Sequence, residues 1–159
     1  MQEARLSQAM DQHGDAVYRL ALCRLQNTHD AEDVYQETFL RLFLEDADEW
    51  DAEHMKAWLL RVAMNLCRDI GRKRKSRNWV SLEEVAEIPD GRTSEYTELW
   101  DAANRLPEKY RMVFHLHYAQ WCKTEDIAKI LKIPAATVRV RLSRARTILR
   151  KELETYDLC

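Results

Sequence analysis

The side chains best suited to bind a ligand are a group of arginines near the carboxyl end of the chain. Three of them follow helical spacing and, together with Ser143, would form one stripe along a helix: Arg139, Ser143, Arg146 and Arg150. A second stripe with the same spacing is apolar and would face a core: Val138, Leu142, Ala145 and Leu149. A helix that is apolar on one side and cationic elsewhere is typical of an element that binds a phosphate backbone. The alternative is a solvated basic helix without a ligand.

The residues just before this helix have the pattern of a helix-turn-helix. A short amphipathic helix is predicted over 124–131, with Thr124 as its cap and acidic residues in its first turn. A brief turn that includes Lys132 follows, and Pro134 starts the second helix, predicted over 134–155. Two such helices, the second of them basic, form the DNA-reading unit of many regulators. This pattern therefore predicts DNA binding.

A second cationic stripe lies in the helix predicted over 53–74. Its members again follow helical spacing and continue into further cations: Arg61, Asn65, Arg68, Arg72, Lys73, Arg74, Lys75 and Arg77. An asparagine amide can contact a base edge, while arginine and lysine neutralise phosphates. The alternative is a wet helix face whose last cations favour the negative end of the helix.

The helix predicted over 29–45, with Thr28 as its cap, is apolar on more than one side. Its core stripe is predicted to contain Ala31, Val34, Tyr35, Phe39 and Leu42. Leu40 and Leu44 fall outside that stripe, among carboxylates and an amide. Exposed leucines in such surroundings predict a protein-binding surface that prefers a basic, partly apolar partner. The alternative is that the first helix covers both leucines.

Composition predicts an all-α protein. The 159 residues include only three Gly and three Pro, with 46% hydrophobic and 33% charged residues. The remaining helices are expected over 3–12, 15–26, 94–105 and 108–119, the last opened by Pro107. We therefore expect two small helical domains, 1–77 and 94–159, joined by a flexible acidic linker over 78–93. The second domain contains the helix-turn-helix.

The net charge of −2 hides a segregated distribution. Acids dominate residues 30–53 and 81–101, and bases dominate 68–77 and 135–151. Two basic patches separated by acidic segments predict two nucleic-acid contacts.

No pattern in the chain points to catalysis, a cofactor or a metal. We find no phosphate loop, nucleophile elbow, zincin motif or paired carboxylates, so we do not expect an enzyme and expect no cofactor. Cys23 and Cys67 are interpreted as core residues, and we do not favour a metal site built from His115, His117 and Cys122. No apolar run is long enough to insert into a membrane, and the polar start is no signal peptide, which predicts a cytoplasmic protein.

Three stretches together resemble a bacterial RNA polymerase sigma factor of the extracytoplasmic-function (ECF) group in the sigma-70 superfamily. AEDVYQETFLRLF (31–43) resembles the polymerase-binding helix of that family. KAWLLRVAMNLCRDIGRKRK (56–75) is similar to its −10 helix, and RLPEKY through RKEL (105–153) to its −35 domain. The resemblance covers nearly the whole chain, in the family's order. Trp121 and Lys132 stand where the family usually has glycine.

The resemblance implies a role for each stretch. The core-polymerase surface would involve Asp33, Gln36, Glu37, Phe39 and Leu40. The −10 element would be contacted by Arg61, Asn65, Arg68, Arg72 and Lys73. The −35 element would be contacted by Thr137, Arg139, Arg141, Ser143, Arg144 and Arg146. The loop 46–53 would receive a flipped base, with Trp50 as a candidate stacking platform.

The function implied is transcription initiation: binding of core RNA polymerase, recognition of −10 and −35 promoter elements, and help in melting the DNA. An anti-sigma factor is the further partner that the resemblance implies. The alternative function is a stand-alone helix-turn-helix regulator that never binds polymerase.

Overall fold

A computed structural model describes residues 2–76 and 97–157, and all regular structure in these ranges is helical. The chain separates into two compact units, Met1–Ile88 and Pro89–Cys159. The predicted all-α fold is confirmed. The predicted linker, 78–93, lies outside the described residues, so its limits stay a prediction. Within the described part, no helix combines the length and the hydropathy that crossing a bilayer requires.

In the described residues of the first unit, three helices pack against one another. They are α1 (Gln2–Leu25), α2 (Thr28–Phe43) and α3 (Ala52–Ser76). Aliphatic side chains from all three are fully buried between them, including Val17, Leu20, Val34, Leu42, Leu59 and Leu60. Cys23 and Cys67 are also buried, as predicted. Burial on this scale, at about 25 cal/mol per Å² of apolar surface, is what holds so small a unit together.

Helix α1 is continuous, so the predicted break between 3–12 and 15–26 is wrong. Gly14 lies inside the helix, where glycine costs only about 0.5–1 kcal/mol relative to alanine. Its missing side chain has a packing reason: a Cβ at Gly14 would lie 3.0 Å from the hydroxyl oxygen of Tyr35. The glycine therefore allows α1 and α2 to approach closely rather than ending α1.

The amino-terminal caps of α2 and α3 are short polar side chains just outside each helix. The Asn27 Oδ1 accepts a hydrogen bond from the Asp30 backbone N–H at 2.9 Å, so Asn27, and not the predicted Thr28, caps α2. The Asp51 Oδ1 accepts from the His54 N–H at 2.8 Å at the start of α3. Both caps fix where the helices that carry the predicted sites begin.

The described residues of the second unit, 97–157, form four α-helices and one π-helical turn. These are α4 (Thr97–Asn104), α5 (Glu108–Phe114), the π turn (His115–Ala119), α6 (Thr124–Leu131) and α7 (Ala135–Asp157). The predicted helix 108–119 is therefore α-helical only to Phe114, after which the Gln120 N–H bonds to the His115 carbonyl at 3.2 Å. One hydrophobic cluster of the second unit contains Ala102, Ala103, Leu106, Phe114, Ala145 and Leu149.

The turns on either side of α6 use left-handed backbone at non-glycine residues. Trp121 has φ 59° and Lys132 has φ 58°, the two positions where glycine is usual in the family that the sequence resembles. Lys132 ends α6 with its N–H bonded to the Ala128 carbonyl. Lys123 occupies the cap position of α6 without a side-chain hydrogen bond, so the predicted Thr124 cap is wrong.

Candidate functional site

Leu40 of α2 and Leu44, the residue directly after this helix, are exposed, and the alternative in which α1 covers them is wrong. The side chain of Leu40 is 53% exposed and that of Leu44 is 73% exposed. Asp33 and Gln36 are also exposed, while Glu37 is half-buried and pairs with Arg41 through an Nε–Oε1 distance of 3.1 Å. We call the surface formed by Asp33, Gln36, Glu37, Leu40 and Leu44 the α2 surface.

Phe39 does not reach the α2 surface, which corrects its place among the predicted polymerase contacts. Its side chain is 3% exposed, and its ring lies 4.8 Å from that of Tyr35. It lies in the core stripe predicted for the same helix. Phe39 therefore contributes to the core of the unit and cannot touch a partner directly.

A groove of about 540 Å³ runs between α2 and α3 beside the α2 surface. Its walls combine apolar and charged or polar residues: Asp33, Val34, Gln36, Glu37, Leu40, Arg41, Leu66, Asp69, Ile70 and Lys73. Lys73, which was predicted to contact the −10 element, lines this groove together with Asp33 and Glu37 of α2. The groove offers a partner both apolar contact and carboxylates.

The predicted stripe of α3 can be followed as far as Lys73, because the side chains of Arg74 and Lys75 and all of Arg77 lie outside the described residues. Three of its members form hydrogen bonds, either to each other or to a neighbouring acid. Arg61 and Arg72 are exposed, whereas Asn65 and Arg68 are half-buried. The Arg68 Nη1 donates to the Asn65 Oδ1 at 3.1 Å, and the Arg72 Nη2 donates to the Asp69 Oδ1 at 2.9 Å. The first contact orients the Asn65 amide, since its oxygen is held toward Arg68.

Three aromatic rings meet at the amino end of this stripe. The Trp50 ring centroid lies 4.5 Å from that of His54 and 5.4 Å from that of Trp58. His54 and Trp58 precede Arg61 at spacings that place them along the same side of α3. Rings followed by arginines form the combination that binds single strands, through base stacking and phosphate pairing.

The acidic loop between α2 and α3 is tied down by Arg5 of α1. The Arg5 Nη1 donates to the Asp48 Oδ1 at 2.7 Å, and its Nη2 donates to the Glu45 carbonyl at 2.8 Å. With Asp51 capping α3, two carboxylates of this loop thus have structural partners. The sequence pattern did not predict Arg5, because its contacts span about forty residues.

Helix α7 presents the predicted faces. Its apolar stripe is buried at Val138, Leu142, Ala145 and Leu149. Exposed side chains lie at Arg139, Ser143, Arg144, Arg146 and Arg150, and half-buried ones at Thr137 and Arg141. Three residues, Lys132 to Pro134, join α6 to α7, as in the predicted helix-turn-helix. One exposed residue of α7, Val140, was not singled out from the sequence.

Two tyrosines of α5 and the π turn hold arginines on opposite sides of α7. The Arg146 Nε donates to the Tyr118 hydroxyl at 2.6 Å, and its guanidinium lies 5.6 Å from the centre of that ring. A hydrogen bond with Arg144 lowers the pKa of the Tyr110 hydroxyl. Because Arg144 and Arg146 flank the buried Ala145, the two contacts fix the helix from both sides. Periodicity could not reveal these contacts, since they join different elements.

The histidines near α5 are turned toward internal partners. The Gln120 Nε2 donates to the His115 Nε2 at 3.2 Å, and the His117 Nδ1 lies 3.3 Å from the Cys122 carbonyl. Among the described residues, no group of three or more histidine, cysteine or acidic side chains could hold a metal ion.

Comparison with known proteins relates both units to one family. The model for sigma-70 region 2 matches residues 9–77, and that for sigma-70 region 4 matches residues 96–149. The ECF RNA polymerase sigma factor SigW of Bacillus subtilis is 33% identical, over 91% of this chain and 86% of its own length. The RNA polymerase sigma factor SigV of the same organism is 28% identical, over 98% and 95%.

A solved structure has a similar fold. The sigma factor RpoE of Bartonella quintana, in complex with the anti-sigma factor NepR, matches with a TM-score of 0.74 and 25% identity. That match covers 93% of this chain and 96% of the other.

Proposed function

Because this chain belongs to the ECF group of RNA polymerase sigma factors, we propose that its exposed α2 surface binds core polymerase while α3 and α7 read the two promoter elements. The protein is a transcription initiation factor that binds core RNA polymerase and directs it to specific promoters. The stand-alone regulator is set aside, since a region 2 domain has no place in it.

The observation that carries the proposal is the exposure of Leu40 in α2 and of Leu44 directly after it, among carboxylates and beside a core stripe that is buried or half-buried. Exposed apolar side chains ringed by polar ones mark protein-binding surfaces. Asp33, Gln36 and Glu37 would then pair with basic and polar groups of the polymerase.

On the −10 side, the stripe of α3 and its aromatic cluster would grip a separated strand. Melting without ATP requires that unstacking, which costs a few kcal/mol, be offset by new contacts to the extruded base and its phosphates. Trp50, His54 and Trp58 supply ring faces, and Arg61, Arg68 and Arg72 supply charge. Asn65, oriented by Arg68, is the candidate for a base-edge contact.

On the −35 side, α7 would lie in the major groove of a closed duplex. Cations on both flanks of its exposed face can reach the two phosphate backbones: Arg139 and Arg146 on one side, Arg141 and Arg144 on the other. Thr137 and Ser143 have hydroxyls that can bond to phosphates or to base edges.

The proposal also includes the limits of the two domains, the location of the protein and its control by a partner. We place the −10 domain at 1–77, the linker at 78–93 and the −35 domain at 94–159. The protein would act in the cytoplasm, where the polymerase is, and without catalysing a reaction of its own. Control by an anti-sigma factor is supported by the similarity to the sigma factor RpoE, whose solved structure is a complex with an anti-sigma factor.

Leu40→Asp tests the polymerase surface. A buried, unpaired carboxylate at the centre of an interface should reduce the affinity for purified core polymerase at least tenfold. Binding is measured by fluorescence anisotropy of the labelled full chain, and helicity and thermal unfolding should stay unchanged because Leu40 is exposed. Gln8→Asp, an exposed position of α1, is the matched control and should bind normally.

A folded Leu40→Asp variant with unchanged core affinity would contradict the proposal. If that variant unfolds, Leu44→Asp, at the more exposed position, repeats the test with less effect on packing. Normal core binding by this second, folded variant together with the unfolding of the first would assign Leu40 to the core.

A further inference from the structure

Val140 is an apolar side chain at the centre of the exposed face of α7. Its side chain is 47% exposed, although it lies among arginines. At 100° per residue, the buried stripe of α7 defines the inward direction, and Val140 points almost directly away from it. Arg139 lies on one flank of this central row, and Arg141 and Arg144 lie on the other. The most solvated line of the helix thus carries a branched hydrocarbon.

Local structure gives no reason for valine at this position. β-Branched residues lose χ1 freedom in helices, so valine is a weaker helix former than alanine, arginine or lysine. The Val140 side chain does not contribute to the core, into which α7 packs Val138, Leu142 and Ala145. Its neighbours along the central row are the small residues Ala136 and Thr147, both exposed, which leave Val140 room to contact a surface.

The chemistry of the major groove limits what Val140 can recognise. Base edges there present hydrogen-bond donors and acceptors, which valine cannot bond, and a single type of apolar group, the C5-methyl of a pyrimidine. Flanking arginines bound to the two backbones would direct the central row of α7 at these edges. In unmodified DNA, thymine is the base that carries this methyl group. In methylated DNA, 5-methylcytosine carries a methyl group at the same ring position.

We propose that Val140 is a specificity-determining residue that reads the C5-methyl group of a pyrimidine, normally thymine, in the −35 element. The inference rests on the proposed placement of α7 in the major groove. It adds that one position of the promoter is read by apolar contact rather than by a hydrogen bond. Because the contact involves a methyl group, its removal changes nothing else on the base edge.

The experiment uses holoenzyme, assembled from the full chain and core polymerase, with a promoter duplex selected from a random-sequence library. Each thymine upstream of the −10 element is replaced in turn by deoxyuridine, which deletes the methyl and keeps the base pair. We expect one thymine at which this lowers the affinity of the wild-type holoenzyme about three- to fivefold, as the burial of one methyl group predicts. Two further duplexes carry cytosine or 5-methylcytosine in place of that thymine, and they show whether the methyl group is recognised on either base. The 5-methylcytosine duplex should bind more tightly than the cytosine duplex, because methylation should restore part of the lost affinity.

Val140→Ala completes the test. This variant should bind the thymine duplex about three- to fivefold more weakly than the wild type does, and it should bind the thymine and deoxyuridine duplexes equally. Val140→Ile should still bind the thymine duplex more tightly than the deoxyuridine duplex. The inference is overturned if no deoxyuridine weakens the wild-type complex, or if Val140→Ala discriminates as the wild type does.

Arg139→Ala separates this inference from the proposed function. If it weakens binding and lowers the salt dependence while deoxyuridine has no effect, α7 lies on the duplex and only the methyl contact is wrong. If Arg139→Ala changes neither quantity, the placement of α7 itself is wrong, and the inference fails with it.

Discussion

Several arginines of the two cationic faces are held by neutral or acidic neighbours before any DNA arrives. Arg72 pairs with Asp69, Arg68 bonds to Asn65, and Arg146 bonds to Tyr118. Exposed pairs of this kind contribute about 0–1 kcal/mol, so a phosphate can displace or share them at little cost. Their effect is to limit the rotamers that each long side chain samples, which reduces the entropy lost on binding.

The burial of His13 in α1 predicts that the stability of the first unit depends on pH. It is buried, and within the described residues its Nε2 has no hydrogen-bond partner. Burial, and then the positive charge of Lys56, lower the pKa of His13 from its usual 6.5. The unfolded chain therefore binds this proton more readily, so the stability is fully present above about pH 6.5 and falls as the pH drops toward the lowered folded pKa.

We expect the free energy of unfolding of the first unit to fall between pH 7.5 and pH 5, and to fall less in His13→Leu. Urea titrations followed through the NMR signals of α1 residues measure it at each pH. His29→Leu, at an exposed position of α2, is the control and should keep the wild-type pH dependence. An identical pH dependence in His13→Leu and the wild type would contradict the assignment.

At the scale of elements, periodic patterns predicted most of the helices, while contacts between elements decided the rest. The predictions for α3 and α6 and the two faces of α7 were confirmed, because apolar spacing determines which side is buried. The predicted break in α1 was wrong, because Gly14 allows the close approach of Tyr35 and does not form a turn. Arg5, Tyr118 and the aromatic cluster around Trp50 act across elements, and no local pattern encodes such contacts.

The turn of the helix-turn-helix tolerates a side chain in a conformation that favours glycine. A left-handed residue other than glycine costs roughly 1–2 kcal/mol, partly offset by the greater chain entropy of glycine. Lys132→Gly should therefore raise the free energy of unfolding of the second unit by about 0.5–1 kcal/mol, a few degrees in Tm. Differential scanning calorimetry of the full chain measures the shift.

Lys129→Gly is the matched control for this turn. It lies at an exposed position inside α6, where glycine should cost about 1 kcal/mol. Stabilisation by Lys132→Gly with destabilisation by Lys129→Gly is the expected pair of results. A loss of stability in Lys132→Gly would mean that the lysine side chain contributes more than its backbone costs.

At the scale of the whole molecule, a chain with a net charge of −2 can bind DNA because its charges are segregated. The basic faces of α3 and α7 belong to different compact units, and each is suited to a different form of DNA. Rings beside arginines on α3 fit a separated strand, and a helix with cations on both flanks fits a closed duplex. Two modest contacts on one promoter can then give an affinity that neither unit reaches alone.

The salt dependence of holoenzyme binding to its promoter tests this central claim most directly. The plot of log K against log salt has a negative slope. Arg61→Ala and Arg139→Ala should each reduce the magnitude of this slope by about one, and the double variant should reduce it by about two. Arg105→Ala, an exposed arginine paired with Glu152 outside both faces, should leave the slope unchanged. Wild-type slopes in both single variants and in the double variant would contradict the account.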